Sequence, residues 1–256
     1  MLNIRVIRNL FIRSNEILSS RPSIWFIHGF ADSGLVYKEV FNSALEENFN
    51  IYVVDMPGFG ASPLNQKYSS IEQHAELLSE VISKEGSNKF NIVAHSLGSL
   101  VGTKVCQLLN DHVHYFFSIE GNLTEADSYF SSKPLNFDNS ESFFASFENE
   151  IFETSKSKLI YRRYYSSLRL ADPDGMRNWS FSSQELIKNN RCGLDFKNLK
   201  CRKMYIWGDV DTPVETQSFI IDHQIPNQRY QGVGHWHMIE NSKVLYKDIS
   251  ELLLNS

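Results

Sequence analysis

Asn91-Ile92-Val93-Ala94-His95-Ser96-Leu97-Gly98-Ser99 sets an apolar, β-prone run against a serine flanked by small residues, and a helix-like segment follows at once. That is how a nucleophile elbow reads: a strand turns so sharply into a helix that one side chain is left exposed at the tip. The turn strains the backbone at that residue, and the helix then crosses close to the strand it left. Bulk two positions to either side would clash, and those positions hold Ala94 and Gly98. The pattern departs from Gly-x-Ser-x-Gly at its first glycine, where a methyl group still leaves room. A short motif of this kind needs its structural context. The plain alternative is that Ser96 merely caps the next helix. The choice rests on whether the chain also supplies a base, an orienting acid and an oxyanion site.

The chain has 256 residues, enough for one large α/β domain or one domain with an insertion. Its formal net charge is -5, its pI is about 5.9, and no basic stripe of the kind nucleic-acid binders carry is present. No apolar run approaches the ~20 residues of a membrane helix. Residues 1–20 mix Arg5, Arg8, Arg13 and Glu16 among apolar residues, unlike the unbroken core of a signal peptide. Cys106, Cys192 and Cys201 are odd in number and lack CxxC spacing, which fits reduced, inert thiols. A cytoplasmic protein with no membrane span and no nucleic-acid partner is the expectation. Its oligomeric state is left open.

Working outward, Asn3 to Leu18 alternates apolar and polar residues in two short runs, as paired strands at a sheet edge would. Ser23 to Ile27 reads as a buried strand running into the glycine-rich His28-Gly29-Phe30-Ala31-Asp32-Ser33-Gly34, where backbone N–H groups can approach a ligand. A helix is expected over Val36 to Glu47 and a strand over Asn50 to Val54. In the turn-rich Asp55 to Pro63, Gly58-x-Gly60 invites a dinucleotide reading, but Pro63 stands where the third glycine belongs. Ser69 and Glu72 suggest a capping box for a helix bearing Ile71, Ala75, Leu78 and Ile82, with Gly86 as its stop. Then come the elbow strand, a helix from Leu97 to Leu109 and a strand from Val113 to Ile119. This alternation predicts a mostly parallel, doubly covered sheet.

The alternation stops between Asn122 and Asn190. Phe143, Phe147 and Ile151 share a helical face, as do Ile160, Tyr164 and Leu168. Asp172-Pro173 looks like an N-cap and first-turn proline for a helix with Met176, Trp179 and Leu186. Residues 122–190 therefore read as a helical insertion, or lid, on a core formed by 1–121 and 191–256. Lys203 to Trp207, Val214 to His223, Gln228 to Tyr230 and an amphipathic helix with Leu245, Ile249, Leu252 and Leu253 complete that core.

The chain resembles the α/β-hydrolase superfamily. The resemblance is carried, in order, by His28-Gly29-Phe30, Asp55-x-Pro57-Gly58-x-Gly60-x-Ser62, Ala94-His95-Ser96-Leu97-Gly98, Gly208-x-x-Asp211-x-Pro213 and Gly234-His235-Trp236. It implies a doubly wound, mostly parallel sheet with a helical cap inserted after the sixth core strand. It also implies a triad of Ser96 as nucleophile, His235 as base and Asp211 as orienting acid, in the chain order of this fold.

The chemistry agrees with that assignment. A serine hydroxyl needs a base to take its proton during attack, and a histidine suits the task. His235 follows the flexible Gly232-Val233-Gly234; the rival His237 would otherwise be a surface or lid contact. His28 and His95 are expected to brace the loops beside the serine. A carboxylate must hold the imidazole in one tautomer. Asp211 matches the family's acid, and Asp209 reads as a loop cap. Glu120 is the competing acid, just after the preceding strand. The Leu97 N–H, backed by its helix, is one oxyanion donor, and by resemblance the Phe30 N–H is the other. No cofactor is required, and no metal: HExxH and Cys/His arrays are absent, and His112-x-His114 supplies two ligands at most.

The aromatics of the insertion, Phe143, Phe144, Phe147, Tyr161, Tyr164, Tyr165, Trp179 and Phe181, serve mainly for packing, with some facing the cleft. The expected activity is hydrolysis of a carboxylic ester of a small-to-medium apolar acid. Thioester or carbon–carbon bond hydrolysis would use the same residues. A non-catalytic ligand binder on the same fold is the reading from another class.

Overall fold

The computed structural model describes residues 2–85 and 89–255; the expected helix stop at Gly86 lies outside them. Eight strands form one sheet: β1 (Asn3–Ile7), β2 (Leu10–Ser14), β3 (Ser23–Ile27), β4 (Asn50–Asp55), β5 (Phe90–His95), β6 (Val113–Ile119), β7 (Arg202–Gly208) and β8 (Asn227–Tyr230). Their spatial order is β1-β2-β4-β3-β5-β6-β7-β8. β1 and β2 form an antiparallel edge hairpin and β2 joins β4 antiparallel. From β4 to β8 every pairing is parallel. Every residue of β3, β4 and β5 is buried, as central strands covered on both faces require. Edge strand β1 leaves Ile4 and Val6 exposed.

The helices are α1 (Ala44–Asn48), α2 (Ile71–Lys84), α3 (Gly98–Leu109), α4 (Ser140–Ser155), α5 (Leu159–Leu168), α6 (Pro173–Ile187), α7 (Arg191–Lys197), α8 (Val214–Asp222), α9 (His237–Glu240) and α10 (Ser242–Leu254). They flank the sheet, with α3 against β5 and β6 and α1 against α10. Among the described residues no helix is long and apolar enough to cross a membrane. The three cysteines are free thiols, two of them buried.

Two helix expectations need correction. The helix expected over Val36 to Glu47 is a 3-10 helix, Gly34–Asn42, followed by α1. Ser43 adopts an extended conformation between them and accepts the Leu45 N–H, so the chain restarts there. The capping box of α2 lies one residue later than Ser69 and Glu72. Ser70 Oγ accepts the Gln73 N–H at 3.2 Å, and Gln73 Oε1 accepts from both Ser70 and Ser69 N–H at 3.1 and 3.0 Å. One amide thereby satisfies two donors, which the earlier register does not achieve.

α4 to α6 occupy the interval between β6 and β7, and Asp172 caps α6 as expected, accepting the Asp174 and Gly175 N–H groups. The segment that carries these helices is tied to the rest of the chain at several points. Trp179 Nε1–H donates to His74 Nδ1 at 2.6 Å, Ile71 N–H to Ser182 Oγ at 3.1 Å, and Tyr164 O–H to the Phe30 carbonyl at 3.0 Å.

The Asp55-to-Ser62 loop is a buried polar hub. The Asp55 carboxylate is gripped by the Arg13 guanidinium at 2.7 and 3.2 Å and accepts N–H bonds from Gly34 at 2.7 Å and Ala61 at 2.8 Å. Asp55→Ala would strand a half-buried cation and two N–H groups. We expect a loss of about 3–5 kcal/mol in urea unfolding; a loss below about 1 kcal/mol would show the hub is dispensable.

Candidate active site

All the candidate residues lie at the carboxyl edge of the parallel strands, where open α/β sheets bind ligands. Ser96 follows β5 with φ 50, a left-handed conformation that non-glycine residues rarely take. Its N–H donates to the Ile119 carbonyl at 2.9 Å, which fixes the turn against β6. Ser96 is partly exposed while its neighbours are buried. The loop after β3 is pressed onto this elbow. A Cβ at Gly29 would sit 2.9 Å from Ser96 Cβ, and one at Gly98 would overlap the His28 carbonyl oxygen. Gly98→Ala should therefore push the two loops apart and cost about 1–3 kcal/mol of unfolding free energy; unchanged stability would contradict this contact.

His28 braces that loop as expected. Its ring is buried, with Nδ1 2.8 Å from the Gly29 carbonyl, and Nε2 accepts the Met56 N–H at 3.0 Å. Nδ1 therefore carries the hydrogen. His95 Nε2 lies 3.0 Å from the His235 carbonyl and donates to it. Burial pushes both imidazoles down from their ordinary pKa, so both are neutral braces. The Leu97 N–H sits on the elbow itself, and the Phe30 N–H in the neighbouring loop after β3. Neither donates to a backbone carbonyl among the described residues.

His235 lies in the loop after β8 and is buried, its ring 4.6 Å from that of His95 and 5.7 Å from Tyr129. With Ser96 it lines a narrow recess whose other walls include Phe30, Asp32, Tyr129, Phe130, Tyr164 and Trp236. Burial pushes the imidazole pKa down to about 3, with His237 adding to the effect. The exposed Asp211 meets the same loop: its Oδ2 accepts the backbone N–H of His235 at 2.9 Å. The hydrogen bonds of the His235 ring to the Asp211 carboxylate and to Ser96 Oγ are not formed in this conformation. Asp209 caps its loop as expected, accepting the Gly232 N–H at 2.7 Å.

Glu120 and His237 depart from expectation. His237 is fully buried rather than a surface or lid contact, and its Nε2 lies 3.1 Å from Glu120 Oε1. Glu120 thus faces His237, not His235. Although the two groups could form an ion pair, burial raises the carboxyl pKa to about 8 and lowers the imidazole to about 4. Both shifts favour neutral partners joined by a hydrogen bond.

Sequence reasoning missed Asp32. It is buried at the recess, accepts the Ser33 N–H at 2.8 Å, and has its pKa raised to about 7 by burial. Its only signal is its place two residues beyond Phe30 in the glycine-rich loop.

A sequence profile described as "alpha/beta hydrolase fold" matches residues 22–242. An Arabidopsis thaliana protein named "Probable lysophospholipase BODYGUARD 2" is 35% identical over 88 residues, covering 32% of this chain and 19% of its own. A pimeloyl-[acyl-carrier protein] methyl ester esterase from Vibrio atlanticus (strain LGP32) is 32% identical over 95 residues, 36% of this chain and 33% of its own. The chain thus spans a third or less of these relatives' lengths. Among solved structures, an epoxide hydrolase from Vigna radiata superposes with a TM-score of 0.77 at 14% identity, covering 100% of this chain and 98% of its own. An enol-lactonase from Burkholderia xenovorans LB400 superposes with a TM-score of 0.75 at 13% identity, covering 98% and 100%. At these identities the structures speak for the fold.

Proposed function

The chain belongs to the α/β-hydrolase fold family, and from that premise we propose that it is a serine hydrolase acting on carboxylic esters of small-to-medium apolar acids. The observation that carries this reading is Ser96 at φ 50 on the strand-to-helix turn, lining one recess with His235. Strained residues of this kind persist where the surrounding structure holds them for a purpose. A helix-capping serine would need neither the strain nor the exposure.

In the proposed reaction Ser96 Oγ attacks the ester carbonyl as His235 takes its proton. The Phe30 and Leu97 N–H groups receive the developing oxyanion. Collapse expels the alcohol, which leaves with the proton from His235, and an acyl-Ser96 remains. Water then attacks the acyl carbon, gives its proton to His235 and releases the acid as Ser96 recovers its hydrogen. An unpaired imidazole with a pKa near 3 is a weak base. The ring therefore turns to pair with the Asp211 carboxylate, already at its backbone N–H, and that charge supports the imidazolium.

Residues 122–190 act as a cap over the core of residues 1–121 and 191–256 in this reading. Tyr129, Phe130 and Tyr164 from the insertion form one wall of the recess, and their rings suit a short apolar acyl group. The Vibrio relative is named for an ester substrate, which favours esters over thioesters or carbon–carbon bonds.

A fluorophosphonate probe combined with a nitrophenyl ester series tests the proposal. Labelling and turnover of wild type, falling as the acyl chain outgrows the recess, are expected. No turnover of esters or acyl thioesters, and no labelling at neutral pH, would favour a ligand binder.

A further inference from the structure

Glu120 sits where β6 ends, with φ 46, and its N–H donates to the Ile206 carbonyl at 2.8 Å. Its carboxyl group meets three elements. The Gly208 N–H donates to Oε1 at 2.6 Å, His237 Nε2 lies 3.1 Å from Oε1, and Thr212 Oγ1 lies 2.9 Å from Oε2 and 3.1 Å from Oε1. Thr212 Oγ1 is also 2.7 Å from the Gly208 carbonyl oxygen.

The protons in this cluster can be counted. A carbonyl oxygen only accepts, so the short contact to Gly208 takes the single hydroxyl hydrogen of Thr212. The Glu120 oxygen facing Thr212 must then donate, which requires a protonated carboxyl. Oε1 remains the acceptor for the Gly208 N–H and for a hydrogen on His237 Nε2. This arrangement satisfies the shortest contact of each group, leaves His237 Nδ1 without a hydrogen to place, and is neutral throughout.

We propose that Glu120 is a protonated positioning residue that fastens the loops of Asp211 and His235 to the end of β6. Thr212 is the neighbour of Asp211, and His237 stands two residues beyond His235, so one side chain sets the spacing of both loops. This inference deepens the serine-hydrolase reading and rests on it for its effect on rate. The charged groups around the carboxyl agree with a neutral acid: Asp211 and Glu240 oppose its ionisation, Asp127, Tyr129 and Tyr205 also sense its charge, and the basic group facing it is a buried imidazole.

The test compares wild type, Glu120→Ala and Glu120→Gln by kcat/KM against pH and by Tm against pH. Glutamine keeps an acceptor oxygen and offers N–H where the acid offers O–H. Glu120→Ala should lower kcat/KM by about 10²-fold through misplaced loops, and Glu120→Gln should recover at least about tenfold of that. Wild type should lose activity as pH rises through about 8, and the glutamine variant should lack that alkaline limb.

The Tm comparison does not depend on turnover. The folded-state pKa lies above the unfolded value, so between about pH 5 and 8 the native chain holds a proton that the unfolded chain has released. Wild-type Tm should fall across that window relative to Glu120→Gln. Parallel Tm curves, or a glutamine variant as impaired as the alanine one, would overturn the assignment. If the chain neither turns over esters nor labels with a fluorophosphonate, the hydrolase reading falls, and the Tm curves still decide the protonation of Glu120.

Discussion

Ser96→Ala is expected to lower kcat/KM on a nitrophenyl ester by about 10⁴–10⁶-fold, leaving only what the oxyanion donors and binding provide. The size of the loss follows from the site's construction. Ser99, the other hydroxyl of the elbow stretch, is buried and accepts the Asn122 N–H at 3.1 Å, and the recess holds its imidazole beside Ser96. A companion variant separates chemistry from strain. Ser96→Gly should be equally inactive but more stable than wild type by about 1 kcal/mol, because glycine adopts a φ of 50 without cost. Urea unfolding of the three proteins measures this directly. A glycine variant no more stable than wild type would mean that the turn is not strained.

Asp211→Asn is expected to lower kcat/KM by about 10³–10⁴-fold with little change in stability. An asparagine oxygen can still accept the His235 N–H, so the loop stays in place and only the charge is lost. That charge matters because burial otherwise holds the imidazole near a pKa of 3, too low to take a proton from serine at neutral pH. Glu120→Gln should be the milder substitution, since the Glu120 carboxyl is bonded to His237, Thr212 and Gly208 instead. If the Glu120 change proved the crippling one, the orienting acid would have to be reassigned.

Much of this arrangement is legible in the chain itself. The small residues around Ser96 announce a close crossing, and Gly98 does press on the His28 carbonyl. The alternation of strands and helices up to Ile119 translates into parallel pairing from β4 to β6, because parallel strands need covered faces and crossover helices. Local competition was harder to read. Ser69 and Ser70 offer two capping registers that differ by one residue, and only the reach of the Gln73 amide separates them. Ser43 breaks a helical pattern that its neighbours would continue.

Glu120 and His237 show the deeper limit. The Gly234-His235-Trp236 pattern singles out His235 as the base, but it is silent on what His237, two residues on, would meet. Whether Glu120 meets the first or the second depends on how three strand ends converge. That convergence is a tertiary fact, and it places His237 at 3.1 Å from the carboxyl and His235 in the recess with Ser96.

The most direct test of the account is peptide mapping of the native protein after fluorophosphonate treatment at neutral pH. We predict one adduct, on the oxygen of Ser96, with complete loss of ester turnover at one equivalent of label. An adduct on another residue that abolishes turnover, or turnover that survives full modification of Ser96, would contradict it.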